Sequence, residues 1–183
     1  MTISGGIKFF KRSTALFTSG TTAIATSNSA SANNILTNRQ LVYWQSAGSD
    51  DVTTETITVT YNKTVAIDRL VLNRVNFKEF AVKYWSGVTW SDFSQVVGID
   101  GALPGGISET VFADETAYYE VYPINTTGIQ ITATKTQTVD AEKIIYNLFT
   151  TEELGTLQQY PQISPIGVSR RPRESEGMSG LAN

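Results

Sequence analysis

Through the middle of the chain, apolar and polar residues alternate. Ile57, Val59 and Tyr61 are interleaved with Thr56, Thr58 and Thr60, the period-2 pattern of a strand with one buried face. Asn62-Lys63 supplies a short turn, and a second run begins at Val65 and continues through Ile67, Leu70 and Leu72. Its phase changes at Asp68-Arg69, which fits either a bulge or burial on both faces. Phe80, Val82 and Tyr84 alternate again, Ser86-Gly87 marks a turn, and residues 90–97 read as the strand that closes this hairpin.

Residues 98–106 contain Pro104-Gly105-Gly106 and predict a loop. Beyond it, Tyr119 and Val121 oppose Tyr118, Glu120 and Tyr122. Ile129, Ile131 and Ala133 oppose Gln130, Thr132 and Thr134, and Ile144, Tyr146 and Leu148 oppose Lys143, Ile145 and Asn147. The one helix-like piece is a turn at residues 151–154. About seven or eight short strands, rich in β-branched residues, define an all-β fold: an antiparallel sandwich or jelly roll.

The ends break this pattern. Residues 18–34 are almost wholly Ser, Thr, Ala, Asn and Gly, which bury little apolar area against the entropy of ordering them, so they predict a linker. Before them, Phe9, Phe10, Lys11 and Arg12 combine bulky apolar groups with cations, fitting either an edge strand or an anchor on a neighbouring subunit. From residue 158 onward, Pro161, Pro165 and Pro172 prevent regular structure, and Arg170, Arg171 and Arg173 stand beside Glu174 and Glu176. The division expected is an N-terminal strand or arm with its linker (1–33), a sandwich (34–155) and an extended C-terminal arm (156–183). Arginine's planar donor fork suits carboxylates on a protein neighbour, so both arms are candidate partner contacts.

Composition narrows the chemistry. Charged residues make up only 17% of the 183, and the net charge is −3, so nothing draws the chain generally to nucleic acid or to an anionic membrane. The absence of cysteine and histidine removes disulfides, thiol nucleophiles, the commonest general base and the commonest transition-metal ligands. No catalytic set emerges. Candidates for paired-acid glycoside cleavage exist, among them Asp92, Asp100, Asp114 and Glu115, and their spacing singles out no pair. With no basic start followed by an apolar run, the expectation is a soluble protein without a secretion signal.

Asn34-Ile35-Leu36-Thr37-Asn38-Arg39 leading to Tyr43-Trp44-Gln45-Ser46, then Glu55-Thr56-Ile57-Thr58-Val59 and Ile67-Asp68-Arg69-Leu70, resembles the discoidin group of galactose-binding-like domains. Phe80-Ala81-Val82-Lys83-Tyr84-Trp85 followed by Trp90-Ser91-Asp92-Phe93 is similar to the central hairpin of that fold, and residues 128–133 and 141–145 to its closing strands. The resemblance covers roughly residues 34–150. It implies a galactose-binding-like jelly roll with a binding role. Cysteine-free versions resemble domains of tailed-phage virion proteins, which implies a non-enzymatic structural subunit of a bacteriophage tail, baseplate or capsid. Such a subunit would be assembled in the host cytoplasm, with homo- and hetero-oligomeric contacts to other virion subunits made by sandwich and arms.

The alternative is a carbohydrate-binding module, with a glycan held by loops near residues 44–51 and 73–79. Trp44, Trp85 and Trp90 are then candidate platforms for a sugar ring, with Gln45 alongside. Against that stands cross-strand aromatic packing. On the glycan reading, Trp44→Ala abolishes binding. Asp50 and Asp51, with Glu55, offer oxygen ligands that would suit calcium; no other cofactor is expected.

Overall fold

Where β-branched and aromatic side chains occupy every second position, one face of each strand is buried and its backbone groups are free to pair sideways. The computed structural model describes residues 7–12, 20–37, 39–48, 50–96, 102–103 and 106–157. Their strands are β1 (Ile7–Arg12), β2 (Thr22–Ala25), β3 (Trp44–Gln45), β4 (Glu55–Val75), β5 (Phe77–Trp85), β6 (Trp90–Asp92), β7 (Gln95–Val96), β8 (Ala102–Leu103), β9 (Ile107–Glu109), β10 (Thr116–Thr136) and β11 (Ile144–Leu157). Every pairing is antiparallel, and the main ladder runs β1-β11-β4-β10-β5-β6.

This ladder folds into two layers because β4 and β10, 21 residues each, are too long to stay in one. Their mutual register shifts between Glu120 and Ile124 and again between Thr126 and Gly128, and such irregularities bend a strand. On one side of the bends, residues 57–60 of β4 pair with β2 and with β10, whose residues 129–136 pair with β5. On the other, residues 69–73 of β4 lie between 116–120 of β10 and 147–151 of β11, and β1 closes the edge. The chain is an antiparallel β-sandwich.

The core lies between the layers. Ile57, Val59, Phe80, Val82, Ile129 and Ile131 from the first layer, with Leu70, Leu72, Ala117, Tyr119 and Leu148 from the second, are all buried, each large aliphatic contributing roughly 1.5–3 kcal/mol. A polar flaw sits among them. The Tyr61 and Thr150 hydroxyls approach each other, but among the described residues neither reaches a partner at hydrogen-bond geometry. Burial pushes the Tyr61 phenol well above its ordinary pKa. Thr150→Val therefore removes an unsatisfied group at nearly constant shape, and it is expected to raise stability by about 1 kcal/mol in urea unfolding.

Four sequence expectations change. Within residues 18–34, the described part is ordered on the sandwich: β2 pairs with β4, and a short helix α1 (Ser29–Ala32) leads into a 3₁₀ turn over Asn33–Leu36. Ala23 and Ala32 are buried and the Asn33 side-chain Oδ1 accepts the Ala23 N–H at 2.7 Å. Small residues serve here because backbone pairing does the holding. Residues 151–154 form strand, not a helical turn, since Thr151 pairs with both Arg69 and Arg12. Within 98–106, Ala102–Leu103 pairs with β7. In β11 the buried set is Ile145, Asn147, Leu148 and Thr150. Asn147 is covered on the outer face, where its amide donates to Thr37 O at 2.8 Å, so strict alternation fails.

At Asp68-Arg69 the two-sided-burial reading holds, while the bulge lies on the partner strand. Ile67, Asp68, Arg69 and Leu70 are all buried, and the β10 bulge lies opposite. Phe9, Phe10, Lys11 and Arg12 belong to β1, the edge strand on the chain's own β11. Arg170, Arg171 and Arg173 lie outside the described residues. Among those described, no helix is long and apolar enough to cross a membrane.

Candidate functional site

At the end of the sandwich where β4 passes into β5, several connections meet and tie one another down. Val75 N–H donates to Glu115 O at 2.8 Å and Gln137 N–H to Asn76 O at 2.8 Å. The Asn76 side chain accepts Ile144 N–H at 2.8 Å and donates to Glu142 O at 2.7 Å. These ties fix the walls of a cleft of about 230 Å³ lined by Arg74, Val75, Asn76, Glu115, Gln137, Ile144 and Tyr146.

Arg74 sits near the end of β4, beside the tight connection to β5, with a left-handed backbone, φ 53°, a conformation that costs a non-glycine residue on the order of 1 kcal/mol. Its guanidinium carbon lies 4.5 Å from the centre of the Tyr146 ring, which also packs on Tyr43 at 4.9 Å with a 36° tilt. Among the described residues, neither Arg74 nor Glu115 is engaged in an ion pair. A planar cationic donor, an anionic acceptor and aromatic surface thus converge on rigid backbone. Such a set offers charge-assisted hydrogen bonds of both signs beside an aromatic surface.

The sequence candidates fall in three places. Trp44 is a core residue: it is 0% exposed and its indole N–H donates to Ser27 O at 3.1 Å. Both ring faces are packed inside, so the platform expected of it is corrected. Gln45 donates its side-chain amide to Glu142. Asp50 and Asp51 build the loop before β4. The N–H groups of Thr53 and Val52 donate to Asp50, and Asp51 accepts both the N–H and the hydroxyl of Thr136 at 3.0 Å. Glu55 is turned inward onto Ser27 at 2.8 Å. Among the described residues, no three His, Cys, Asp or Glu side chains come together as a metal set.

The cation in this loop is Lys143. Only 1% exposed, it donates to Asp50 O at 2.6 Å. Hydrogen bonds to charged groups contribute roughly 1.5–3 kcal/mol. Lys143→Met should therefore cost about 2 kcal/mol and speed hydrogen exchange selectively in residues 46–54.

The loop also sets an acid response. Hydrogen bonds from the Thr53 backbone to Asp50 and from the Thr136 backbone to Asp51 hold both carboxyls below their ordinary pKa. A depressed folded pKa gives stability that is present above the unfolded value and lost as pH falls through the folded one. Asp68, raised mainly by burial, has the opposite sign and offsets part of that loss. Thermal unfolding followed downward from about pH 5 is expected to show the melting temperature falling below about pH 4, with a shallower fall in Asp51→Asn.

Trp85 and Trp90 face each other across β5 and β6 with ring centres 5.3 Å apart, at the opposite end of the first layer. Asp92 is paired with Lys83 at 3.5 Å on this same hairpin. Lys83 lies six residues along β5 from Phe77, roughly 20 Å at strand rise, so Asp92 is too far from Asp114 and Glu115 to share one glycosidic bond, which needs acids within ~10 Å. Asp100 lies outside the described residues.

Arg74 and Asn76 fall within residues 73–79, expected from sequence as a loop; the structure instead runs β4 to Val75 and starts β5 at Phe77, leaving Asn76 alone as the connection. The sequence did not single out Tyr146 and Gln137. The alternation puts Tyr146 on the same face as Leu148, and the break at Asn147 is the one signal against it.

Comparison with known proteins bears on the fold. No protein-family model matches the chain, and no curated protein matches it. Solved structures do. A putative alpha-L-fucosidase from Bacteroides thetaiotaomicron is similar with a TM-score of 0.59 at 13% identity, covering 77% of this chain and 29% of that one. Chitosan-binding module 1 of a chitosanase/glucanase from Paenibacillus sp. IK-5 gives 0.55 at 12%, covering 73% and 95%. CpGH89CBM32-5 from Clostridium perfringens, solved in complex with GalNAc-beta-1,3-galactose, gives 0.51 at 10%, covering 71% and 94%. The likeness is one of fold: the chain shares its antiparallel β-sandwich with these modules, as its sequence resemblance implies.

Proposed function

We propose that this chain is a non-catalytic carbohydrate-binding module whose glycan docks in the loop-end cleft, held by Arg74 and Glu115 and packed on Tyr146. The observation that carries this reading is the convergence in one braced cleft of a guanidinium and a carboxylate, neither in an ion pair among the described residues, with a tyrosine ring. Solved structures of the same fold that are named for binding chitosan, or that hold GalNAc-beta-1,3-galactose, support it. None of the three similar structures described above is a virion protein, and the C-terminal arginines behind the virion expectation lie outside the described residues. Glycan binding is therefore the reading favoured over a structural subunit.

The test is retention of the purified chain on immobilised chitosan and on GalNAc-beta-1,3-galactose, with the products assayed in parallel. Saturable retention without release of shorter sugars is expected. Absence of retention on both, or turnover, overturns the proposal.

A further inference from the structure

The outer face of the first layer carries a second cleft with different chemistry. Across the strands runs one row of positions: Trp90 on β6, Trp85 on β5, Gly128 on β10, Thr60 on β4 and Thr22 on β2, linked by the pairings Trp85 with Trp90, Ile129 with Tyr84, Gly128 with Thr60 and Thr22 with Thr60. Glycine in this row leaves a notch. A Cβ on Gly128 would meet Val59 O at 3.1 Å and the Trp90 ring at 3.3 Å, so the missing side chain is what lets the indole lie close to the sheet. The resulting trough of about 270 Å³ is lined by Thr60, Trp85, Trp90, Thr127 and Gly128.

The trough is built on a fixed floor. Thr126 is 2% exposed, and its hydroxyl lies 2.8 Å from Trp85 O and 2.9 Å from Gly128 O while accepting Gly128 N–H at 3.1 Å. Above that floor the two indole planes meet at 63°, forming a corner that offers one face and one edge. Both tryptophans are half-buried, not sealed. Among the described residues, no charged side chain lines the trough. The polar groups at hand are two indole N–H donors and the hydroxyls of Thr60 and Thr127, none of which has a partner among the described residues. Aromatic surface with neutral donors and hydroxyls fits an uncharged polyhydroxylated ring and gives nothing to a phosphate or carboxylate.

We infer that the Trp85–Trp90 trough is a second glycan site that takes one neutral pyranose ring, making the chain bivalent. This rests on the carbohydrate-binding reading, but it uses a separate site. The eight steps of β5 from Phe77 to Trp85 put the two clefts roughly 27 Å apart, at opposite ends of the sheet. Two sites at that spacing hold separate residues of a polysaccharide, or two chains, and gain from effective concentration.

Indole emission separates the sites. The loop-end cleft is lined by no tryptophan, and Trp44 is sealed in the core, so a ligand-induced change in tryptophan fluorescence reports the trough alone. The probes are cellotriose and GalNAc-beta-1,3-galactose, titrated with fluorescence and with calorimetry for stoichiometry. Two equivalents are expected in the unmodified chain. Arg74→Gly should leave one equivalent and an unchanged indole response. Trp90→Ala should lose that response while keeping the loop-end equivalent. If Trp90→Ala fails to fold, the double variant Thr60→Val/Thr127→Val should weaken the indole-reported affinity at least tenfold with the hairpin intact. One equivalent without any indole change overturns the second site and leaves the first. An indole change that survives Arg74→Gly at one equivalent, in a parent that also binds one, upholds the trough and overturns the loop-end site. No binding of either probe overturns both.

Discussion

Replacing Arg74 by glycine is expected to weaken glycan binding by between tenfold and more than a hundredfold while leaving the fold about as stable as before. The binding loss follows from the charge-assisted hydrogen bonds of the guanidinium, roughly 1.5–3 kcal/mol when removed, with each 1.4 kcal/mol equal to tenfold in affinity. The stability change is small because opposing effects cancel. Glycine relieves a left-handed residue (φ 53°), a gain on the order of 1 kcal/mol. It also gives up the contact with Tyr146, about 0.5–1 kcal/mol at an exposed site, and adds freedom to the unfolded chain. Calorimetric titration beside urea unfolding measures both. Equal affinity in the variant would remove Arg74 from the site. Arg74→Lys keeps the charge but not the planar fork, and it should fall between the two.

Trp44→Ala is expected to cost about 3–5 kcal/mol, a large share of the roughly 5–15 kcal/mol that a domain possesses. Its ring is fully buried and its N–H holds Ser27 O, so the loss combines a cavity with an abandoned acceptor. Near-UV circular dichroism and urea unfolding would follow it, and any loss of binding should track the unfolded fraction. Trp44→Phe keeps most of the volume and forfeits only the hydrogen bond, so it should cost about 1–2 kcal/mol and bind normally. A Trp44→Ala protein of unchanged stability that no longer bound glycan would restore the platform role the sequence suggested.

Strands were legible wherever burial is one-sided. Ile57, Val59, Ile129 and Ile131 alternate in sequence and lie buried in the core. Legibility failed where a strand is covered on both faces, as at Asn147 beneath Thr37, because period 2 then carries no information. It failed again in the Ser/Thr/Ala segment before Trp44. Composition reports how much apolar area a segment can bury, but β2 is held by ladder bonds to β4 and by the Asn33 side chain, which composition does not record. A tryptophan's sequence position cannot tell a ring that packs inward from one that faces out. Trp44, Trp85 and Trp90 looked alike, and burial divides them. The loop-end cleft assembles Arg74, Glu115, Gln137 and Tyr146 from separate connections, and only the fold brings those together.

The central claim is that the loop-end cleft binds sugar, and the most direct test is a two-dimensional NMR titration of the isotope-labelled chain with GalNAc-beta-1,3-galactose and with chitosan oligomers. Saturable shifts are expected on the backbone of Arg74, Asn76, Glu115, Gln137 and Tyr146, with a separate set at Trp85, Trp90 and Thr127 from the trough, leaving Trp44 in place. A spectrum unmoved by both ligands, or shifts confined to β1 and the edge it closes, would contradict it.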